Sequence, residues 1–139
     1  QLFVSKILAK TRPLPTMITG LALGTLGMLI LSISSKPWVF IIGIMVFTIG
    51  EMTTHPKFLS YIGMISPPDK KALYMGYSFL YGVIGSSIGS FLGSALYVKF
   101  VDEMGRPGQL WALLSIIGVV SIIGLLIYNK VVVKSKATA

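Results

Sequence analysis

Four long apolar runs, at residues 14–34, 37–66, 70–100 and 109–133, make up most of this chain, and short polar or proline-bearing links separate them. A helix rises 1.5 Å per residue, so about 20 apolar residues cross a hydrocarbon layer about 30 Å thick. Inside such a layer each run must satisfy its own backbone hydrogen bonds, which a helix does. Only 12% of the 139 residues are charged, against about 25% in soluble domains. The expected fold class is therefore an all-α membrane protein with four transmembrane helices. There is no cysteine, which removes disulfide and thiol chemistry from consideration. The net charge of +8 does not point to nucleic acid, because the basic residues sit at the ends of the apolar runs, where membrane orientation needs them. The chain starts at Gln1 in mid-pattern, without a starting Met or signal peptide, and reads as a fragment of something longer.

The links set the order of the helices. Residues 1–13 form a basic lead-in with Lys6, Lys10 and Arg12 before Pro13 and Pro15. In the first run Gly20 and Gly24 make a G-x-x-x-G, extended by Gly27, a spacing that lets another helix approach closely. Ser34, Ser35, Lys36 and Pro37 make a tight turn, so the second run returns antiparallel. Pro67 and Pro68 stop that run, and Asp69 is placed to cap the third. The third run carries Tyr74, Tyr77, Ser78 and Tyr81, then Gly82, Gly85, Gly89 and Gly93, which read as a packing surface and as points of bending. Residues 99–108 form a polar loop in which Lys99 and Arg106 nearly balance Asp102 and Glu103. Trp111 and Tyr128 lie near the ends of the fourth run, where amphipathic rings prefer to sit. Residues 134–139 form a short tail.

The second run holds the one anomaly. Residues 38–50 carry no charge; then comes Glu51, followed by His55, the only histidine, and Pro56. A carboxylate at such a depth costs roughly 2.5–3.5 kcal/mol or more and must face a partner or a water-filled cavity. At helical spacing Phe47, Glu51, Thr54, His55 and Phe58 share a face, with Gly43 and Gly50 beside them. That face joins polar, aromatic and small residues, as a solute pathway requires. Pro56 cannot donate to the Met52 carbonyl, so a hinge is expected there. The plain alternative is a buried structural pair between Glu51 and a Lys or Arg elsewhere.

Antiparallel runs place Lys6, Lys10, Arg12, Lys57, Lys70, Lys71, Lys130, Lys134 and Lys136 at one end, and Lys36, Lys99 and Arg106 at the other. The positive-inside rule then makes the lead-in and the tail cytoplasmic, in a cell (inner) membrane.

The run from Gly50 to Gly82, GEMTTHPKFLSYIGMISPPDKKALYMGYSFLYG, resembles the tenth and eleventh helices of the major facilitator superfamily, and within it the proton-dependent oligopeptide transporters. The matching positions are Gly50, Glu51, Pro56, Pro67, Lys70, Lys71, Met75 and Gly76. His55 stands where that family usually has a small hydroxyl residue, and Ser78 where it usually has tryptophan. The resemblance implies the last four of twelve helices, the remaining helices lying outside this chain. It implies proton-coupled uptake of di- or tripeptides or similar small solutes, with Glu51 meeting the solute's cationic end. Glu51, His55, Tyr77, Ser78 and Tyr81 become the candidate solute-binding residues. Pro56, Gly82, Gly85, Gly89 and Gly93 become the candidate hinge and packing residues for alternating access. Protons and a small solute are the implied partners besides the lipid bilayer, with no cofactor and no metal.

Three rivals stand beside this reading. One is a major facilitator for a sugar, drug or organic acid. Another is a membrane enzyme using Glu51 and His55 as acid and base or as metal ligands, although one histidine, no cysteine and one intramembrane carboxylate make a poor metal site. The third is a non-catalytic subunit whose glycines only assemble partners.

Overall fold

The structure, a computed structural model, describes residues 11–133. The readings of residues 1–10 and of the tail at 134–139 lie outside the described residues. Four helices follow one another: α1 over Pro13–Ile33, α2 over Pro37–Ile65, α3 over Lys71–Tyr97 and α4 over Pro107–Tyr128. With their short helical extensions, all four are long and apolar enough to cross a membrane. Pro13, Pro37 and Pro107 each open a helix, where a missing N–H leaves no partner unsatisfied.

Large apolar side chains point outward all along the helices, among them Ile42, Met45, Phe79, Val83, Ile88, Phe91, Ile117 and Ile123. Among the described residues the buried apolar side chains are few: Leu14, Met17, Leu31 and Leu110. Lipid tails solvate Leu as well as another Leu does, so apolar bulk does not hold such helices together; close backbone approach does. α1 packs along α2 on one flank and against α4 on the other. Gly20, Gly24 and Gly27 of α1 meet Gly43 and Gly50 of α2. A Cβ at Gly50 would strike the Gly24 backbone nitrogen and sit 2.5 Å from the Gly20 carbonyl oxygen. On the other flank, a Cβ at Gly118 would strike the Thr25 hydroxyl, and one at Gly108 would lie 2.6 Å from the Ser32 carbonyl oxygen.

Hydroxyls at these interfaces are satisfied by their own helix. Thr25 donates to the Leu21 carbonyl at 2.8 Å, Thr53 to Ile49 at 2.8 Å and Ser115 to Ala112 at 2.6 Å. Among the described residues, no buried side-chain nitrogen or oxygen lacks a partner, as a medium without water demands.

α3 is set apart. It touches α2 near its own start and barely meets α4. A Cβ at Gly82, Gly85, Gly89 or Gly93 would meet nothing within 4 Å. Among the described residues, then, the glycine row of α3 packs against no helix, unlike the equally spaced row of α1. The expected cap at Asp69 is also not made. Pro68–Lys70 forms a single 3-10 turn closed by the Lys70 N–H on the Pro67 carbonyl at 3.0 Å, and no side chain caps α3. Asp69 lies inside that turn rather than at the helix start. α2 continues through Pro56 to Ile65. Beyond α3, Val98–Glu103 widens to a π-helical stretch, and Gly105, at φ 61°, turns the chain into α4.

Three side-chain contacts fix which ends are level. Lys57, only 7% exposed, donates from its ammonium to the Thr11 carbonyl at 2.9 Å and ties α2 to the start of α1. Tyr61 and Tyr128 share a hydrogen bond of 2.9 Å and join the last turns of α2 and α4. Phe58 meets Tyr81 edge to face, which brings α3 against α2.

Candidate functional site

Glu51 falls in the middle of α2, one residue past the close contact of Gly50 with α1. One step round a helix is about 100°, so the glycine faces α1 while the carboxylate lies at the margin of that interface. Among the described residues, cavities border it on three sides. The first, about 200 Å³, lies between α1, α2 and α4; its walls include Gly20, Gly24, Thr25, Phe47, Glu51 and Gly118. The second, about 320 Å³, lies between α1, α2 and α3 and is lined by Met17, Glu51, Thr54, His55, Phe58 and Tyr81. The third, about 220 Å³, runs along α2 itself past Thr48, Glu51, Met52 and His55.

Among the described residues Glu51 makes no hydrogen bond or ion pair. The structural pair that would explain an intramembrane carboxylate is therefore not found within them. His55, one turn further on, is engaged: its Nδ1 and the Tyr81 hydroxyl lie 2.8 Å apart, with donor and acceptor set by the tautomer. The Tyr81 ring also takes the edge contact with Phe58, with centroids 4.7 Å apart. The Thr54 hydroxyl donates to the Gly50 carbonyl at 2.9 Å, so its proton is engaged within α2.

Of the five residues singled out for the solute, Glu51, His55 and Tyr81 come together. Tyr77 and Ser78 do not join them. Tyr77 is 61% exposed and borders a separate depression with Ala72, Leu73, Gly76 and Leu80. It stands one turn before Tyr81, and it is Tyr81 that meets α2, through His55 and Phe58. Ser78 is buried, but its hydroxyl donates to the Met75 carbonyl at 2.7 Å, in its own helix. Met17, Thr25 and Gly118 also border the carboxylate's surroundings, and nothing in their own helices marks them for it. Gly24 carries a signal, its G-x-x-x-G, but that spacing speaks for packing.

The arrangement can hold a cation. One acidic oxygen pair stands at the rim of apolar and aromatic walls, unpaired among the described residues, and a cation held there gains from the carboxylate. Among the described residues no three His, Cys, Asp or Glu side chains gather to hold a metal ion.

A family model described as Major Facilitator Superfamily matches residues 1–138. No curated protein and no solved structure matches the chain.

Proposed function

Because the chain belongs to the major facilitator superfamily, whose members are secondary transporters in the membrane and generally not enzymes, we propose that Glu51 is its cation-binding group in proton-coupled solute uptake. The solute is a di- or tripeptide or another small molecule with a cationic end. The observation that carries this reading is the Glu51 carboxylate, unpaired among the described residues and bordering three cavities. At an effective dielectric constant near 20, a charge pair 4 Å apart is worth about 4 kcal/mol. That attraction favours an ammonium group beside the carboxylate and makes proton and solute compete for the same oxygens.

His55 and Tyr81 act beside it. Their hydrogen bond joins α2 to α3 across the second cavity, so a solute entering there disturbs a helix-to-helix contact. That is the kind of coupling alternating access needs. Within the family fold the chain takes the place of the last four of twelve helices, with its more basic end in the cytoplasm.

The test is Glu51→Gln in the intact transporter, read as uptake driven by an imposed pH gradient. Loss of gradient-driven uptake with the protein still folded is expected. Undiminished uptake removes Glu51 from the mechanism.

A second reading of the solute is favoured by the walls. Met17, Phe47, Phe58 and Tyr81 surround the carboxylate with apolar and aromatic surface and offer few groups for a peptide backbone. On that reading the solute is an organic cation of drug type. Competition of uptake by dipeptides separates the two.

A further inference from the structure

The cavity between α1, α2 and α4 has a feature that helix packing does not require. Gly20 and Gly50 are glycines by necessity, since a Cβ at either would run into the facing helix. Gly24 is different. A Cβ built there would have only the Phe47 ring edge near it, at 3.9 Å, an ordinary contact. The space where its side chain would stand is open, and Gly24 lines the cavity. The cavity wall includes Leu21, Met28 and Phe47, with Thr25 and Thr54, whose hydroxyl protons are given to the Leu21 and Gly50 carbonyls of their own helices. Glu51 is the one charged group on its border.

We propose that this cavity is an apolar subsite for the solute, so that the protein selects amphipathic cations: an ammonium group on Glu51 and a short aliphatic or aromatic group lodged between Gly24, Phe47 and Gly118. The proposal rests on Glu51 as the cation-binding group and adds the chemistry of what is attached to the cation. The size fits. An apolar protein cavity of about 150 Å³ holds a benzene molecule, and this one offers about 200 Å³. The charge also fits: an apolar group bearing a carboxylate would meet Glu51 as a like charge, while the same group bearing an ammonium would meet its opposite. The His55–Tyr81 side of Glu51 is a separate space, so the ammonium stands between two walls and only one of them is the subsite. Gly24 and Phe47 are specificity-determining positions, since they set the depth of the pocket without touching the charge.

The experiment uses the intact protein purified in detergent and a series of primary alkylammonium ions, from methylammonium to n-hexylammonium, with benzylammonium. Binding is read as ligand-dependent thermal stabilisation, which follows mass action. In the unaltered protein, affinity should rise about fourfold per added methylene, the equivalent of ~0.8 kcal/mol of buried CH₂, and then level off when the cavity is full. Gly24→Ala should leave methylammonium unchanged and bring the levelling about one methylene earlier, with n-pentylammonium and benzylammonium weakened at least fourfold. Phe47→Leu should do the opposite and move the levelling to longer chains. Glu51→Gln should abolish binding of the whole series.

Failure takes separable forms. If affinity rises with chain length identically in the unaltered protein, Gly24→Ala and Phe47→Leu, the chain lies elsewhere and the subsite is wrong, while sensitivity to Glu51→Gln still upholds the cation site. If affinity does not grow with chain length at all, or no member binds, the selection of amphipathic cations is wrong. If Glu51→Gln binds the series as well as the unaltered protein does, the cation site itself fails, and the subsite with it.

Discussion

In the proposed function a single carboxylate, Glu51, carries the cation, and His55 and Tyr81 stand beside it. His55 and Tyr81 bond across 2.8 Å, and the same tyrosine ring leans on Phe58. These two contacts can be separated. Tyr81→Phe keeps the ring and removes the hydroxyl, and a hydrogen bond of this kind contributes about 0.5–1.5 kcal/mol net. Tyr81→Ala also removes the aromatic pair, worth about 0.5–1.5 kcal/mol beyond its area. Thermal unfolding of the intact protein should therefore fall slightly for Tyr81→Phe and clearly further for Tyr81→Ala. Equal falls would mean that the ring contact with Phe58 holds nothing. Glu51, His55 and Tyr81 were legible in the sequence because charge and polarity stand out in an apolar run, and because i, i+4 spacing puts Glu51 and His55 on one face. Met17, Thr25 and Gly118 were not legible as cavity walls. Which residue of one helix stands opposite Glu51 of another depends on how the two helices are rotated and offset, and no single helix encodes that.

At the scale of the helix, the same glycine spacing has two meanings. The G-x-x-x-G of α1 buries its small residues against Gly43 and Gly50 of α2, whereas the longer row of α3 faces open space among the described residues. The pattern states that a backbone can be approached; it does not name the partner. Four apolar helices were readable from run length alone, since the chain must satisfy its backbone within each run. The start of α3 was misread, because proline at position 68 commits the next residues to a 3-10 turn and draws Asp69 away from the capping position. The α1–α2 contact makes a sharp prediction. Gly50→Ala places a methyl group against backbone atoms of both Gly20 and Gly24, and neither can rotate away as a side chain would. Overpacking of this kind costs about 1–3 kcal/mol or more. Gly124→Ala in α4 meets nothing within 4 Å and should gain a few tenths up to ~1 kcal/mol from helix propensity. The melting temperatures of the two variants should move in opposite directions. A Gly50→Ala protein as stable as the unaltered one would mean that α1 and α2 do not pack through these glycines.

For the whole molecule, the question is which end of the bundle faces the cytoplasm. The contacts already sort the ends: Lys57 with Thr11 and Tyr61 with Tyr128 bring the start of α1 level with the ends of α2 and α4. The opposite end joins the α1–α2 turn to the start of α4, where Gly108 sits under the Ser32 carbonyl. Lys70 and Lys71 lie in the link from α2 to α3, on the first of these ends, whereas Lys36 and Arg106 lie on the second with Asp102 and Glu103 close by in sequence. Lysine and arginine are retained on the cytoplasmic side because carrying them across costs most, so the end with Lys70 and Lys71 should be internal. The sequence contains no cysteine, so one introduced thiol is the only one this segment offers to a reagent. In intact cells a membrane-impermeant maleimide should label Ser35→Cys and Asp102→Cys, and it should label Lys71→Cys only after the membrane is opened. All three positions are exposed in the fold, so a difference among them reports sidedness rather than burial. Labelling of Lys71→Cys in sealed cells, with Ser35→Cys and Asp102→Cys protected, would invert the bundle.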